Sequence, residues 1–242
     1  MSLSVSSNNM SPLELEQQLL AGHHAGSFPD FGRKVWPGLL DYFKYVLTPP
    51  TITINPHDLI MEFGVWYRSS LMAINEYTGK NFVYGFDTFS GLPEAWVADD
   101  GQILAQKGEF KIDVAPENTA KNIFVVGMVE DTYQTFLQSH PEKIQYMHLD
   151  MDLYAPTKFV LEKSVSRFQR GTIITIDDFY GFPGWRVGTC LAFCEVVNKY
   201  NLSVEIVASA GLVGDWSNVT FRITDVPNRE TSSIDKYTLK AF

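Results

Sequence analysis

The pattern of apolar and polar positions changes near residue 50. Before that point, Ser11-Pro12-Leu13-Glu14 has the form of a helix capping box with proline at the first helical position, which predicts a helix to about Ala21. A second periodic stretch, 39–47, predicts another helix, which Pro49-Pro50 ends. We therefore expect residues 1–50 to form a helical extension and residues 51–242 to form the main domain.

After residue 50, short apolar runs alternate with stretches of helical periodicity. The runs predict strands over 59–63, 82–86, 122–126, 145–149 and 172–176, with helices over 69–77, 131–139, 156–168 and 189–200. Strands separated by helices pair in parallel, whereas the last two predicted strands, 204–208 and 218–223, lack a helix between them and are expected to pair antiparallel. The prediction is a three-layer α/β domain with the N-terminal helices added to it.

One segment of the main domain, from Thr88 to Val114, shows no clear period. Unstructured connections of this length are uncommon in compact domains and usually serve as lids or binding loops. We therefore expect this segment to cover a site.

Composition narrows the class of protein. The chain has 242 residues and a formal net charge of −9, which argues against a general nucleic-acid binder. Its N-terminus lacks the features of a signal peptide, and no apolar stretch approaches the roughly 20 residues of a membrane span. Cys190 and Cys194 share one face of a predicted helix and are expected to be buried free thiols, which favours a cytoplasmic location.

Acidic residues follow most of the predicted parallel strands, and this edge of an open sheet is where ligands bind. Asp87 ends the second strand, where a carboxylate commonly accepts hydrogen bonds from a ribose. The first loop contains Gly64 but not the Gly-x-Gly-x-x-Gly of a dinucleotide site. The sequence therefore predicts a cofactor that carries adenosine without a pyrophosphate.

A second acidic group is expected from Asp150, Asp177 and Asp178, which follow two predicted strands. Three carboxylates close together repel one another unless one is protonated or a cation lies between them. Oxygen ligands favour a hard ion such as Mg²⁺ or Ca²⁺. The alternative is that one of these aspartates caps a turn and the others are solvated.

His148, Asp150 and Asp152 alternate along the chain, so an extended backbone would present them on one face. Asp152 lies just past the predicted strand end and is a candidate general base. His148 is a second candidate catalytic residue, with a buried neutral histidine as the alternative. Aromatic residues cluster around the same loops and are expected to be divided between core and pocket.

Four segments of this sequence, taken together, resemble a known family. They are Glu62-Phe63-Gly64-Val65-Trp66, Phe86-Asp87-Thr88-Phe89-Ser90-Gly91-Leu92-Pro93-Glu94, His148-Leu149-Asp150-Met151-Asp152-Leu153-Tyr154 and Ile176-Asp177-Asp178-Phe179. In this order they are similar to the macrocin O-methyltransferase group of class I S-adenosylmethionine-dependent methyltransferases, which includes enzymes that methylate sugar hydroxyls in antibiotic biosynthesis. The resemblance covers about residues 58–200.

The resemblance implies a Rossmann-like seven-stranded sheet with an antiparallel last strand, and it implies roles for individual residues. It implies that Glu62 and Gly64 line the methionine end of the cofactor, that Asp87 holds the ribose and that residues 127–130 border the adenine. Asp150, Asp177 and Asp178 take the positions of magnesium ligands, and Asp152 takes that of the base. Further cofactor contacts are implied at Val65, Ser69, Thr88, Gly127, Val129 and Asp150. The family usually has Trp-Arg-Gly-Gly after Gly-Val, whereas this chain has Trp66-Tyr67-Arg68-Ser69-Ser70.

The leading hypothesis is a magnesium-assisted O-methyltransferase that uses S-adenosylmethionine and a hydroxylated small-molecule acceptor, with the N-terminal extension as a lid. A homo-oligomer is left open. One alternative is a degenerate methyltransferase fold that binds a cofactor or partner without turnover. Another, a nicotinamide-dependent oxidoreductase, is disfavoured by the missing glycine fingerprint.

Overall fold

The architecture follows from a computed structural model that describes residues 3–5, 10–32, 38–79, 83–212 and 216–227. The helices are α1 (Pro12–His24), α2 (Gly38–Leu47), α3 (Ser69–Thr78), α4 (Val129–Ser139), α5 (Tyr154–Ser164) and α6 (Thr189–Lys199). The strands are β1 (Leu3–Val5), β2 (Leu59–Phe63), β3 (Val83–Asp87), β4 (Trp96–Val97), β5 (Ile103–Ala105), β6 (Asn122–Val126), β7 (Ile144–Leu149), β8 (Ile173–Tyr180), β9 (Ser203–Ala210) and β10 (Ser217–Asp225). Short 3₁₀ turns cover Val165–Arg167 and Trp185–Val187.

The main sheet has the order β1-β9-β10-β8-β7-β2-β3-β6. Strands β6, β3, β2, β7 and β8 are parallel, and the last strand, β10, is antiparallel to both β8 and β9. This confirms the predicted seven-stranded sheet with an antiparallel last strand. The eighth strand, β1, pairs antiparallel with β9 at the sheet edge and was not predicted, because three residues are too few to show a period.

Alternation along the strands divides the core between the two faces of the sheet. In β2, Met61 and Phe63 pack with the side chains of α4, α5 and α6, whereas Ile60 packs with those of α2 and α3. The Phe63 ring stacks on Phe86 of β3 at a centroid distance of 4.6 Å. A helical layer on each side of the sheet gives the expected three layers, and β2 lies near their centre, buried along its whole length.

The N-terminal helix begins as its sequence predicts. The Ser11 amide donates to Glu14 Oε2 at 2.9 Å, and the Glu14 amide donates to Ser11 Oγ at 3.2 Å, which completes the capping box. The helix continues through the buried Gly22 and ends at His24, three residues beyond the predicted Ala21. Leu15 and Leu19 attach it to the core.

Two elements differ from the predicted pattern near the carboxyl edge of the sheet. Strand β8 continues past the predicted end at Ile176 to Tyr180 and contains Asp177 and Asp178. Polar residues hid this extension, because the buried alternation stops at Ile176. The 88–114 segment contains the small β4–β5 hairpin, whose strands are too short to produce a period.

The cysteine prediction is confirmed: Cys190 and Cys194 are buried free thiols on α6. Burial raises the pKa of the Cys190 thiol well above its usual range. The longest helix of the described ranges, α1, has 13 residues, so none of the described helices meets the requirement for crossing a bilayer.

Candidate functional site

A cavity of about 370 Å³ opens above the carboxyl ends of the parallel strands. Of the thirteen residues singled out from the sequence, twelve line it: Gly64, Val65, Ser69, Asp87, Thr88, Gly127, Val129, His148, Asp150, Asp152, Asp177 and Asp178. The parallel topology explains this convergence, because strands distant in sequence end at one edge. The remaining residue, Glu62, lies beneath the cavity.

Backbone forms the floor of the cavity where β2 and β7 end. The Asp150 amide donates to the Phe63 carbonyl at 2.7 Å, and the Gly64 amide donates to the Phe86 carbonyl at 2.9 Å. Gly64 has a φ of +84°, and a Cβ at this position would lie 1.7 Å from the Asp150 carbonyl oxygen. Only glycine fits there.

Asp87 holds the loop that follows β2. Its Oδ2 accepts from the amides of Val65 and Trp66 at 2.7 and 2.8 Å, and its Oδ1 accepts from the Phe89 amide at 2.7 Å. Charge-assisted bonds of this kind are stronger than neutral ones. A carboxylate has about four acceptor positions, so Asp87 can still accept from a ligand while it fixes the loop.

The loop after β2 lacks the glycines that are usual in the family, yet it adopts left-handed backbone at residues other than glycine. Trp66 and Arg68 have φ values of +42° and +68°. The Trp66 and Tyr67 side chains are 47% and 63% exposed, and the Trp66 ring lies 5.5 Å from the Phe110 ring. All three of these aromatic residues line the cavity, so they form an aromatic rim at its mouth.

The turn after β6, which pairs with β3, borders the cavity beside Asp87. The Gly127 amide donates to the Asp87 carbonyl at 3.0 Å, and its φ of +139° favours glycine. Val129 begins α4 immediately after this turn. Backbone amides at the start of a helix and a glycine turn therefore lie beside Asp87 and Thr88.

Glu62 takes a position that its sequence context did not indicate. Its side chain is fully buried, and its Oε1 lies 2.8 Å from Nδ1 of His148, which is 1% exposed. Burial raises the pKa of the Glu62 carboxyl, and the hydrogen bond with His148 opposes that rise. Glu62 thus contacts His148 through its carboxyl and is not among the residues that line the cavity.

His148, Asp150 and Asp177 converge: one potential ligand atom from each lies within 4.8 Å of the others. His148 Nε2 is buried and has no hydrogen-bond partner among the described residues. Asp178, the third aspartate of the predicted metal set, lines the same cavity but is not a member of this group. The histidine was considered as a catalytic residue or a core residue and not as a ligand, since it is inside a strand.

Irregular backbone places the two adjacent aspartates of β8 on the same cavity. Successive residues of a regular strand point to opposite faces. Here the pairing of β8 with β10 shifts between Ser217 and Val219, and Asp178 has a φ of +45°. The two adjacent aspartates therefore reach one cavity through an irregularity within the strand.

Asp152 lies on the cavity wall just after β7, in a left-handed conformation with a φ of +62°. Left-handed backbone at a residue other than glycine costs about 1 kcal/mol or more and concentrates at functional sites. The conformation turns the chain sharply into α5, so Asp152 and Asp150 both face the cavity.

Sequence reasoning missed several apolar walls of the cavity. Leu39 and Phe43 of α2, together with Leu92 and Pro93 of the 88–114 segment, line it. For Leu39 and Phe43 the sequence offered the amphipathic pattern of α2, which indicates an apolar face but not what that face covers.

A second aromatic cluster lies outside the cavity lining. The Trp96 ring is 5.3 Å from Phe182, whose ring stacks on Trp216 at 4.7 Å. A Cβ on Gly184 would lie 2.7 Å from the Cα of Ala98, so the turn-rich 181–184 loop packs directly on the hairpin. This loop therefore supports the hairpin in the described arrangement.

Comparison with known proteins gives one family and a set of similar folds. The family model described as Macrocin-O-methyltransferase (TylF) matches residues 54–195. The chain is similar to the crystal structure of CalS11, a calicheamicin methyltransferase (24% identity, 77% of this chain and 78% of that chain, TM-score 0.56). It is also similar to the O-methyltransferase NovP (20% identity, 88% and 98% coverage, TM-score 0.52). A third similar structure is an O-methyltransferase from Bacillus cereus in complex with SAH (13% identity, 88% and 91% coverage, TM-score 0.52). No match was found among the curated proteins compared.

Proposed function

This chain belongs to the macrocin O-methyltransferase family, and from that premise we propose that it methylates a hydroxyl of a small molecule with the help of a divalent cation, magnesium. It is an S-adenosylmethionine-dependent methyltransferase. The observation that carries the proposal is one cavity that unites Asp87 with Asp150, Asp152 and Asp177. A cofactor wall and an acidic wall thus face the same space.

The wall formed by the ends of β2, β3 and β6 fits the cofactor. Gly64 brings backbone to the cavity surface, and Asp87 offers its remaining acceptor capacity to a ribose. Gly127 and Val129 border the position proposed for the adenine. Val65, Ser69 and Thr88 complete this wall. S-adenosylmethionine supplies a methyl group on a positively charged sulfur. The sulfur is the leaving group when an oxygen nucleophile takes the methyl.

The acidic wall fits a divalent cation. Asp150 and Asp177 contribute carboxylates, and a ring nitrogen of the buried His148 lies with them. When bound, a divalent cation lowers the pKa of a hydroxyl that it binds and stabilises alkoxide charge. Asp150 and Asp177 would hold it, while Asp178 adds negative charge to the same cavity.

Asp152 is the proposed general base. Its carboxylate borders the cavity beyond the end of β7, and a base within hydrogen-bond reach of a hydroxyl contributes about 10²–10⁴-fold to the rate. The acceptor proton moves to a carboxylate oxygen of Asp152 as the acceptor oxygen forms its bond to the methyl carbon. Holding the two reactants in line supplies much of the remaining acceleration.

The acceptor class proposed is a hydroxylated sugar or natural product. The similar structure CalS11 is described as a calicheamicin methyltransferase and as a TDP-rhamnose 3'-O-methyltransferase. In this chain the acceptor would contact apolar walls from Leu39 and Phe43 of the N-terminal extension and from Phe110. The extension, residues 1–50, therefore serves as part of the lid over residues 51–242.

Methyl transfer from labelled S-adenosylmethionine to a panel of hydroxylated sugars and phenols tests the proposal. We expect turnover that is lost on chelation of divalent cations and restored by Mg²⁺. Asp152→Asn should lower kcat by about 10²-fold or more while the affinity for S-adenosylhomocysteine stays unchanged. Turnover at the wild-type rate in Asp152→Asn would remove it as the base.

A further inference from the structure

We propose that the cation site of this chain is a mixed nitrogen and oxygen site, in which His148 Nε2 is a ligand together with Asp150 and Asp177. The proposal deepens the proposed function, because it concerns the cation that assists methyl transfer. It replaces a set of three aspartates by one imidazole and two carboxylates.

The first support is the position of the imidazole. His148 lines the cavity, and one of its ring nitrogens lies within 4.8 Å of a carboxylate oxygen of Asp150 and of Asp177. Its Nδ1 is occupied by Glu62 at 2.8 Å, so Nε2 is the nitrogen that remains for a ligand. Phe43 packs edge-on against the ring at 5.4 Å and restricts its rotation.

The second support is that the buried Nε2 of His148 has no hydrogen-bond partner among the described residues. Buried polar atoms almost always have a partner, and an exception calls for an unobserved ion, water or ligand. A cation between this nitrogen and the two carboxylates would give Nε2 the partner that it lacks among the described residues.

The third support is Glu62. Its carboxyl oxygen Oε1 lies 2.8 Å from Nδ1 and fixes the orientation of the imidazole, so Nε2 is the nitrogen left for a cation. Metal-binding histidines usually have such a carboxylate behind them, and it makes the imidazole a stronger ligand. The position of Glu62 beneath the cavity is thereby explained.

A nitrogen ligand changes the expected order of metals. Magnesium prefers oxygen ligands, whereas imidazole increases the affinity for first-row transition ions. Calorimetric titration of metal-free protein should therefore give Mn²⁺ and Co²⁺ affinities at least about tenfold above that of Mg²⁺. Equal affinities for Mg²⁺ and Mn²⁺ would contradict the inference.

Pulsed electron paramagnetic resonance of the Mn²⁺-loaded protein identifies the ligand atoms directly. We expect modulation from a coordinated imidazole nitrogen in the wild type and its loss in His148→Gln. Glu62→Gln should keep the nitrogen signal and lower the Mn²⁺ affinity by about 10–100-fold. Circular dichroism and thermal unfolding establish that each variant is folded.

Asp177→Asn and Asp178→Asn form the discriminating pair, because the two residues are adjacent and equally buried. The inference predicts a large loss of Mn²⁺ affinity in Asp177→Asn and a much smaller one in Asp178→Asn. A site that loses Mn²⁺ in Asp178→Asn and keeps it in His148→Gln overturns the inference in favour of three aspartates. Folded wild-type protein that binds S-adenosylhomocysteine but no Mn²⁺ overturns it too, and leaves methyl transfer to be tested separately.

Discussion

The two walls of the cavity use carboxylates in opposite ways. On one wall, Asp87 gives three acceptor contacts to backbone amides and so shapes the loop after β2. On the other, Asp150 and Asp177 lie beside the buried His148, whose Nε2 has no hydrogen-bond partner among the described residues. The same residue type shapes a loop in one place and, in the proposed function, supplies metal ligands in the other.

The walls also differ in what determines their shape. The Asp87 wall depends on backbone geometry, with glycine at a close approach to Asp150. The Asp150 and Asp177 wall depends on side chains held from beneath by Glu62. Substitutions should therefore separate cofactor binding from cation binding, and the predictions below are ordered by the size of the expected effect.

The largest effect is expected at the point where the walls meet. Gly64→Ala would place a Cβ 1.7 Å from the Asp150 carbonyl oxygen, and no rotamer change relieves a clash with backbone. We expect a loss of about 3 kcal/mol or more in the free energy of unfolding, measured by urea denaturation.

The matched control is Gly79→Ala. Gly79 also has a positive φ, +62°, but its Cβ would have no neighbour within 4 Å. The cost there should be limited to the left-handed backbone, about 1–2 kcal/mol. Equal losses in the two variants would show that the contact between the walls is not tight.

The second prediction separates the walls. Asp87→Asn removes the charge from the acceptor proposed for the ribose, and since one charge-assisted bond is worth about 1.5–3 kcal/mol, affinity for S-adenosylhomocysteine should fall about 10–100-fold. Mn²⁺ affinity should change little. Asp100→Asn is the control, because Asp100 accepts from the Gln102 amide in the β4–β5 turn, away from the cavity lining.

Asp150→Asn should have the reverse effect. It removes one carboxylate charge from the group with His148 and Asp177, so cation affinity and cation-dependent turnover should fall sharply. Affinity for S-adenosylhomocysteine should stay within about threefold, since this change is under 1 kcal/mol. A variant that loses both ligands together would mean that the walls are one coupled unit.

The smallest effect on stability is expected at the aromatic rim. Trp66 and Tyr67 are substantially exposed, so alanine at either position should change the free energy of unfolding by no more than about 0.5 kcal/mol. We expect a higher KM for the acceptor, because the rim lines the cavity mouth. Met72, as exposed as Tyr67 but not part of the lining, provides the control substitution Met72→Ala.

The sheet and most site positions follow from sequence because they depend on local patterns. The run at 59–63 coincides with β2, since a buried parallel strand is a continuous apolar segment, and the run at 122–126 coincides with the edge strand β6. Strand ends in a parallel sheet share one edge, and this brings Asp87 and Asp150 to one cavity.

The roles of Glu62 and His148 did not follow from sequence. Both lie within apolar strands, and their pairing depends on the register between β2 and β7, where Glu62 is opposite His148. Register between parallel strands is a long-range property that local periodicity does not encode. The convergence of Asp177 and Asp178 similarly depends on an irregularity in β8 that arises from its pairing with β10.

The separation of the two walls is tested most directly by calorimetric titration of Asp87→Asn and Asp150→Asn with S-adenosylhomocysteine and, separately, with Mn²⁺. The account predicts that Asp87→Asn loses affinity for S-adenosylhomocysteine and keeps Mn²⁺ binding, while Asp150→Asn does the opposite. Identical losses of both ligands in the two variants, or no S-adenosylhomocysteine binding by the wild type, would contradict it.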